Sequence, residues 1–466
     1  MSAPGSAIDT ITAIATASGP GAVGIVRVSG PEAAALASAL FRSAHAGFTG
    51  LKPRRLHHGS LVDASGRVLD EVLAAYMPGP GSFTGEDVVE LFCHGGPAVL
   101  RAVLEELLGL GARLARPGEF TLRAFLNGKL DLTQAEAVAE TIAAPTRAAL
   151  HLAQMKLSGA LSRRIGALRA VLESLRARLC LAVDFPDEDV ECLPLPALRQ
   201  EVLAAAEDVE RLLAAVARTR AWREGALAVL AGLVNAGKSS LLNALTGRRR
   251  AIVSEEPGTT RDYLEESIDL DGLVLRLADT AGLRQAAAGV CAVEAEGQSM
   301  SRELMERAEA VLYVLDASKP LAAADRAALA GLAAARTLVL LNKADLPVAE
   351  PDLAAQLAGQ GFRALCVSAR TGAGLEEAAQ LLRGLITAGR AEPDVDEVAP
   401  NARQASVLRR AQTELLALAD DAEAGLPYDI LGVRLEAACR LLSELTGEIA
   451  PDEVLEGIFS NFCIGK

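Results

Sequence analysis

Residues 232–239 read Gly232-Leu-Val-Asn-Ala-Gly237-Lys238-Ser239, between an apolar run, Ala226 to Leu230, and a stretch of helical spacing, Leu241 to Leu245. Strand, glycine-bearing turn and helix in that order constrain the fold more than any other feature. The glycines let backbone N–H groups turn inward at the positive end of a helix, where phosphate oxygens are favoured. Lys238 is expected at the β- and γ-phosphates and the Ser239 hydroxyl at Mg2+. From Ala226 short β runs alternate with helical stretches to about Ile386, which reads as an inserted α/β domain.

Further segments in that domain narrow the nucleotide. Asp279-Thr280-Ala281-Gly282 follows the run Val274 to Leu277. Asp279 is expected to hold Mg2+ through water, and the Gly282 N–H to meet the γ-phosphate. Asn342-Lys343-Ala344-Asp345 follows Leu338 to Leu341. A carboxylate at Asp345 can accept hydrogens from guanine N1 and the 2-amino group. Adenine offers neither, a mismatch that can be worth a factor of about 10⁴ or more. Ser368-Ala369-Arg370 fits a base-stacking loop, and Gly258-Thr259-Thr260-Arg261-Asp262 a switch segment in which Thr260 offers Mg2+ a second hydroxyl. Taken in order, these segments imply GTP. The position after Gly282, where many GTPases orient water with glutamine, is Leu283. Another group must orient water, and Glu294 and Glu296 lie downstream; Arg261 and Arg284 are candidates for neutralising charge. Asn235 either ligates a monovalent cation through its amide oxygen or hydrogen-bonds within its loop.

At 466 residues, about two to four domains are expected. Hydrophobic residues make up 51% and aromatics 3%, so the cores must be built from Leu, Val, Ile and Ala. No uninterrupted apolar run reaches the roughly 18 residues of a membrane span, and Met1 to Thr10 does not read as a signal peptide. The seven cysteines (Cys93, Cys180, Cys192, Cys291, Cys366, Cys439, Cys463) form no CxxC pair. They suit reduced thiols serving mostly as core filler, in a cytoplasmic protein. The net charge of −14 speaks against nucleic acid binding over a broad surface but leaves room for a local basic patch.

Outside the α/β domain, residues 9–115 look like mixed strands and helices: Val23 to Val28 and Asp87 to Cys93 as strands, a turn at Asp63-Ala64-Ser65-Gly66, and a helix after Pro97. From about Thr121 the spacing is helical. Leu161, Ile165, Leu168, Leu172, Leu175 and Leu179 make one apolar stripe, and a second helix is expected from about Ala197 to Ala217 after an acidic, proline-containing break. Helical spacing resumes beyond the linker Ala391 to Pro400, at Leu408, Leu415, Ile430, Leu435, Leu441 and Leu445. The expected divisions are residues 1–120 (α+β), 121–218 (helical), 219–388 (inserted P-loop, Ras-like α/β) and 389–466 (helical, resumed).

The flanking segments carry a resemblance. Asp9-Thr10-Ile11, Val23-Gly24-Ile25-Val26-Arg27-Val28-Ser29-Gly30, Phe83-Thr84-Gly85-Glu86-Asp87 with Glu90, and Arg116-Pro117-Gly118-Glu119-Phe120 form part of it. The run Ala124 to Leu132 with Gln134-Ala135-Glu136-Ala137, and the ending Cys463-Ile464-Gly465-Lys466, complete it. With the GTPase segments, they resemble the MnmE (TrmE) family of tRNA-modification GTPases over nearly the whole chain. The resemblance implies a homodimer that, with an FAD-dependent partner (MnmG, also GidA) in a heterotetramer, adds an aminomethyl or carboxymethylaminomethyl group to C5 of the wobble uridine of certain tRNAs. It implies a dimerising N-terminal domain that binds a 5-formyl or 5,10-methylene tetrahydrofolate through Arg27, Glu90, Lys129 and Lys466. It implies K+ held by Asn235, Ser254, Glu256 and Thr259 in place of an arginine finger, and water oriented by Glu294. Cys463 is either a nucleophile, as the resemblance suggests, or an inert lining of the folate site.

The GTP-contacting set then comprises Asn235, Ala236, Gly237, Lys238, Ser239 and Ser240, and Ser254, Glu255, Glu256, Pro257, Gly258, Thr259 and Thr260. It continues with Asp279, Thr280, Ala281 and Gly282, with Asn342, Lys343 and Asp345, and with Ser368, Ala369 and Arg370. Val234 stands where many members have proline, and Ser254 where threonine is more usual. A ribosome-assembly or translation-regulating GTPase is the alternative; it would need an appendage rich in Lys and Arg, whereas the flanks are acidic.

Overall fold

The computed structural model describes residues 9–184, 194–248, 265–279, 304–388, 392–394 and 396–466. The chain divides into two compact units: residues 1–139, 156–209 and 406–466 form one, and residues 140–155 and 210–405 the other.

In the first unit the described strands are β1 (Ile11–Ile14), β2 (Gly21–Ser29), β3 (Phe41–Ser43), β4 (Leu56–Val62), β5 (Val68–Met77), β6 (Val88–Gly95) and β7 (Arg113–Leu114). They form a sheet in the order β3-β4-β5-β6-β2-β1-β7, antiparallel throughout except between β1 and β7. Side chains alternate across a strand. Val26 and Val28 therefore enter the core with Leu91, Leu100 and Val103, while Arg27 between them faces the other way. Register places Arg27 directly opposite Glu90 on β6. Pro97 opens the helix Pro97–Gly109 within its first turn, where the absent N–H costs nothing.

The helical stripe is realised. Leu161, Ile165, Leu168, Leu172, Leu175 and Leu179 are all buried on one face of the helix Ala160–Asp184, which packs against Tyr428–Thr446. The expected phase of the latter helix needs one correction. It starts after Pro427, so its first inward position is Leu431, fully buried, and Ile430 is 45% exposed. The cysteines also depart from core filler: Cys93 and Cys439 are buried, but Cys180, Cys366 and Cys463 are exposed. Cys192 and Cys291 lie outside the described residues.

In the second unit β8 (Ala226–Ala231), β9 (Glu265–Leu270), β10 (Leu273–Asp279), β11 (Ala310–Asp316), β12 (Thr337–Asn342) and β13 (Arg363–Cys366) form a sheet in the order β13-β12-β11-β8-β10-β9. All neighbours are parallel except β9 and β10. Every residue of β8 and of β12 is buried, as helices on both faces of a parallel sheet require. The chain turns to one side of β8 for β10 and to the other for β11, so a topological switch lies at the carboxyl ends of these strands, where such sheets bind ligands.

Leu340 is fully buried in β12. Leu340→Ala is expected to destabilise the second unit by about 2–5 kcal/mol, read as a lowered denaturation midpoint for that unit.

Candidate functional site

The described residues expected from the sequence to meet phosphate and base gather at that carboxyl edge. Gly232 follows β8, Asp279 ends β10, Asp316 ends β11, Asn342 ends β12 and Ser368 lies just beyond β13. Register sets Asp279 opposite Leu230 and Asp316 opposite Asn342.

The loop after β8 is shaped by backbone that only certain residues accept. Gly232 (φ 136) and Gly237 (φ 97) are left-handed; a Cβ on the first would overlap the Val314 carbonyl, and on the second the Asn342 amide nitrogen. Asn235 (φ 66) shares that region, which asparagine tolerates better than most side chains. Lys238 opens the helix Lys238–Arg248 and is buried; its Nζ donates to the carbonyls of Gly232 and Leu233, each at 2.9 Å. The Ser239 hydroxyl donates to Asp279 Oδ2 at 3.0 Å. A hydroxyl and a carboxylate side by side are the oxygen donors that a hard divalent cation takes.

Five hydrogen bonds tie the end of β12 and the loop after it to their neighbours. Asn342 Nδ2 donates to the Ala236 carbonyl at 2.9 Å, and Asn342 Oδ1 accepts from the Ala369 N–H at 3.1 Å. Lys343 Nζ donates to the Asn235 carbonyl at 3.0 Å, and also to Asp316 Oδ2 at 2.7 Å. Ser368 Oγ donates to Asp345 Oδ1 at 2.6 Å. This hydroxyl, with Arg370 nearby, holds the exposed Asp345 carboxyl below its ordinary value, so it is ionised at neutral pH. Burial works to raise the Asp316 carboxyl, but Lys343 and Ser318 outweigh it and hold it low. Asp316 was not anticipated from the sequence. Its signal was available: like Asp279, it ends an apolar strand.

The expected Asn235, Ala236, Gly237, Lys238, Ser239, Ser240, Asp279, Asn342, Lys343, Asp345, Ser368, Ala369 and Arg370 thus border one edge. Ser254, Glu255, Glu256, Pro257, Gly258, Thr259, Thr260, Thr280, Ala281, Gly282, Glu294 and Glu296 lie outside the described residues.

A second polar cluster lies in the first unit. Arg27 meets Glu90 at 2.8 and 2.9 Å and donates to the Gly465 carbonyl at 3.1 Å. Its guanidinium sits over Phe83 and Phe120, at 5.8 and 5.6 Å from the ring centroids. Gly465 (φ 97) lies so close to the Ile14 carbonyl that no Cβ would fit, which draws the terminal residues in beside β1. Lys466 is half-buried; burial, then Arg27, lowers its pKa from the ordinary lysine value. Lys129 stands apart from this pair, donating instead to the Pro80 carbonyl at 2.9 Å, in the loop that carries Phe83. Cys463 is exposed and lies within electrostatic reach of Lys466; its carbonyl accepts from the Lys466 N–H at 3.4 Å. The two rings around Arg27 and the Gly465 carbonyl were not foreseen.

A largely parallel sheet with a glycine-lysine-serine loop, a hydroxyl–carboxylate pair and an Asn-Lys-x-Asp turn at one edge defines a P-loop GTPase. The family model described as GTP-binding protein TrmE N-terminus matches residues 10–129, and that of the MnmE helical domain residues 132–463. The chain is 52% identical over 460 residues to the tRNA modification GTPase MnmE of Nitratidesulfovibrio vulgaris (strain DP4), covering 98% of this chain and 99% of that one. It is 45% identical to that of Lawsonia intracellularis (98% and 100% covered) and 43% to that of Geobacter sulfurreducens (98% and 99%). The chain belongs to the MnmE (TrmE) family.

Gly237→Ala would force a methyl group against the buried Asn342 amide in a left-handed backbone. GTP affinity is expected to fall at least tenfold, read by calorimetric titration, with the far-ultraviolet circular dichroism unchanged.

Proposed function

We propose that the chain hydrolyses GTP to drive modification of the wobble uridine of certain tRNAs, adding an aminomethyl or carboxymethylaminomethyl group at C5 together with an FAD-dependent partner of the MnmG type. The observation that carries this reading is one chain holding both the nucleotide edge and the Arg27–Glu90–Lys466 cluster, in a sequence 52% identical to a tRNA modification GTPase along 98% of its length.

In the G domain, Lys238 and the backbone N–H groups of residues 235–239 would hold the phosphates, and Asp345 the guanine edge. Ser239 and Asp279 already present oxygens to each other and fit Mg2+, with Thr260 as the further ligand; when bound, the ion neutralises charge that develops between the β- and γ-phosphates. Asn235 fits a K+ ligand, exposed at the tip of its loop, with Ser254, Glu256 and Thr259 completing the set. That ion supplies the positive charge that an arginine finger provides elsewhere. Glu294 orients the attacking water rather than serving as a strong base.

In the N-terminal domain two cations share one carboxylate: Arg27 and Lys466 with Glu90. That leaves positive charge for an anionic tail, while Phe83 gives a flat ring edge a surface to pack on. This donor set fits a tetrahydrofolate, in the 5-formyl or 5,10-methylene form, which supplies a one-carbon unit when bound. Lys129 closes the loop beside it through Pro80. Cys463, exposed near the Lys466 cation, is read as lining the folate site, with a nucleophile as the other reading. We read the assembly as a cytoplasmic homodimer joined through N-terminal domains, which recruits its flavoprotein partner to form a heterotetramer. No described helix is long and apolar enough to cross a membrane.

Nucleoside analysis of tRNA from cells lacking this protein tests the reading: the modified wobble uridine is expected to disappear and an unmodified C5 to accumulate. An unchanged nucleoside profile would refute it. Turnover by the purified protein is expected to be strongly faster in K+ than in Na+, measured as phosphate release at equal ionic strength; equal rates would remove K+ from the mechanism.

A further inference from the structure

One stretch breaks with the acidity of this chain. Residues 33–62 contain Arg42, Lys52, Arg54 and Arg55 and neither Asp nor Glu, in a protein of net charge −14. Lys52, Arg54 and Arg55 are exposed. Among the described residues none of the three pairs with a carboxylate, whereas Arg27, Arg67, Arg113 and Arg123 of the same unit all do. Arg42 differs from the three: it donates to the Ala39 and Phe41 carbonyls at the end of the helix Ala33–Leu40.

The backbone under these cations is fixed. Phe48 packs on Phe41 and on His57, each at 5.5 Å between ring centroids. The Lys52 N–H donates to His57 Nε2 at 2.9 Å, and the Arg54 N–H to the Tyr76 carbonyl at 2.7 Å. Arg54 itself is left-handed, φ 57. Cations on a pre-shaped loop lose less freedom on binding than cations on a mobile tail.

The place of this loop matters as much as its charge. The Arg54 guanidinium lies over Gly81 so closely that any side chain there would collide with it. Gly81 belongs to the turn that presents the Pro80 carbonyl to Lys129 and carries Phe83 over Arg27. The unpaired cations therefore adjoin the candidate folate site, on the same unit.

We propose that Lys52, Arg54 and Arg55 form a docking surface for an RNA phosphate backbone beside the one-carbon site; this rests on the tRNA reading above. Unpaired cations free of local carboxylates attract phosphates whatever the base sequence, and they set position rather than specificity. On an acidic protein such an island also directs the polyanion to one face. RNA docked here is brought beside the group from which the one-carbon unit would come.

The test is fluorescence anisotropy of a labelled, unmodified full-length tRNA transcript with the full chain, wild type against K52Q/R54Q/R55Q, across a KCl series. The variant is expected to bind about tenfold or more weakly, with the slope of log affinity against log salt reduced by about 2–3. GTP turnover and binding of 5-formyltetrahydrofolate should stay at wild-type values, which shows that the variant is folded. Equal affinity and slope in the two proteins would overturn the proposal and leave the tRNA reading standing. Wild-type protein that binds no tRNA even at low salt would sink that reading and the proposal with it. A variant that keeps its tRNA affinity but no longer associates with the purified flavoprotein partner would mark the surface as a protein interface, and the proposal would be wrong.

Discussion

The Asn342 side-chain amide, 2% exposed, donates to the carbonyl of Ala236 and accepts from the N–H of Ala369. With these two bonds it joins the loops that follow β8, β12 and β13, which we propose bind phosphate, recognise guanine and stack on the base. A buried amide left unpaired costs about 1–3 kcal/mol, so the three loops keep their spacing or lose that much. Gly237 is the complement of this arrangement, because only the absence of a side chain lets the amide approach. Lys343 repeats the tie one residue on, joining Asn235 to Asp316. The loops proposed to grip phosphate and to recognise the base are therefore joined to one another by covalent neighbours and a few hydrogen bonds.

The N-terminal unit solves a similar problem with sheet register. Pairing β2 with β6 sets Arg27 opposite Glu90, and the chain's last residues close on the same guanidinium through the Gly465 carbonyl. Phe83 reaches it on a loop held elsewhere: Ser29 and Thr84 share a hydrogen bond at 2.8 Å, Glu86 accepts from Ser29 at 2.8 Å and from Arg123 at 3.1 Å, and Asn127 donates to the Thr84 carbonyl at 2.8 Å. Segments far apart in the chain converge through these polar contacts, and the terminal one also through the apolar cluster in which Phe459 and Phe462 pack with Leu132 and Ala135.

How legible these features were depends on how local their causes are. The P-loop, the strands ahead of each G motif and the stripe from Leu161 to Leu179 follow from short-range spacing, and the structure reproduces them. The inward phase of Tyr428–Thr446 was misplaced by one residue at Ile430, because Pro427 sets where the helix begins and periodicity alone does not. Exposure of Cys180, Cys366 and Cys463 also escaped composition, which knows nothing of which face a residue takes. Asp316, Phe83 and the Gly465 carbonyl act through partners 27, 56 and 438 residues away, distances over which sequence spacing carries no signal. Pairing of Arg27 with Glu90 was accessible only through family resemblance, since strand register is a tertiary property.

Guanine selectivity is proposed to rest on an ionised Asp345 that Ser368 holds in place. Calorimetric titration of the purified full-length chain in Mg2+ with GTP, ATP and XTP, for the wild type and for Asp345→Asn, addresses that directly. Wild-type protein is predicted to prefer GTP over ATP by about 10⁴ or more, and the variant to weaken for GTP while gaining affinity for XTP, whose 2-oxo group can accept from the new amide. Equal wild-type affinities for GTP and ATP, or a variant that binds GTP as the wild type does, would contradict it.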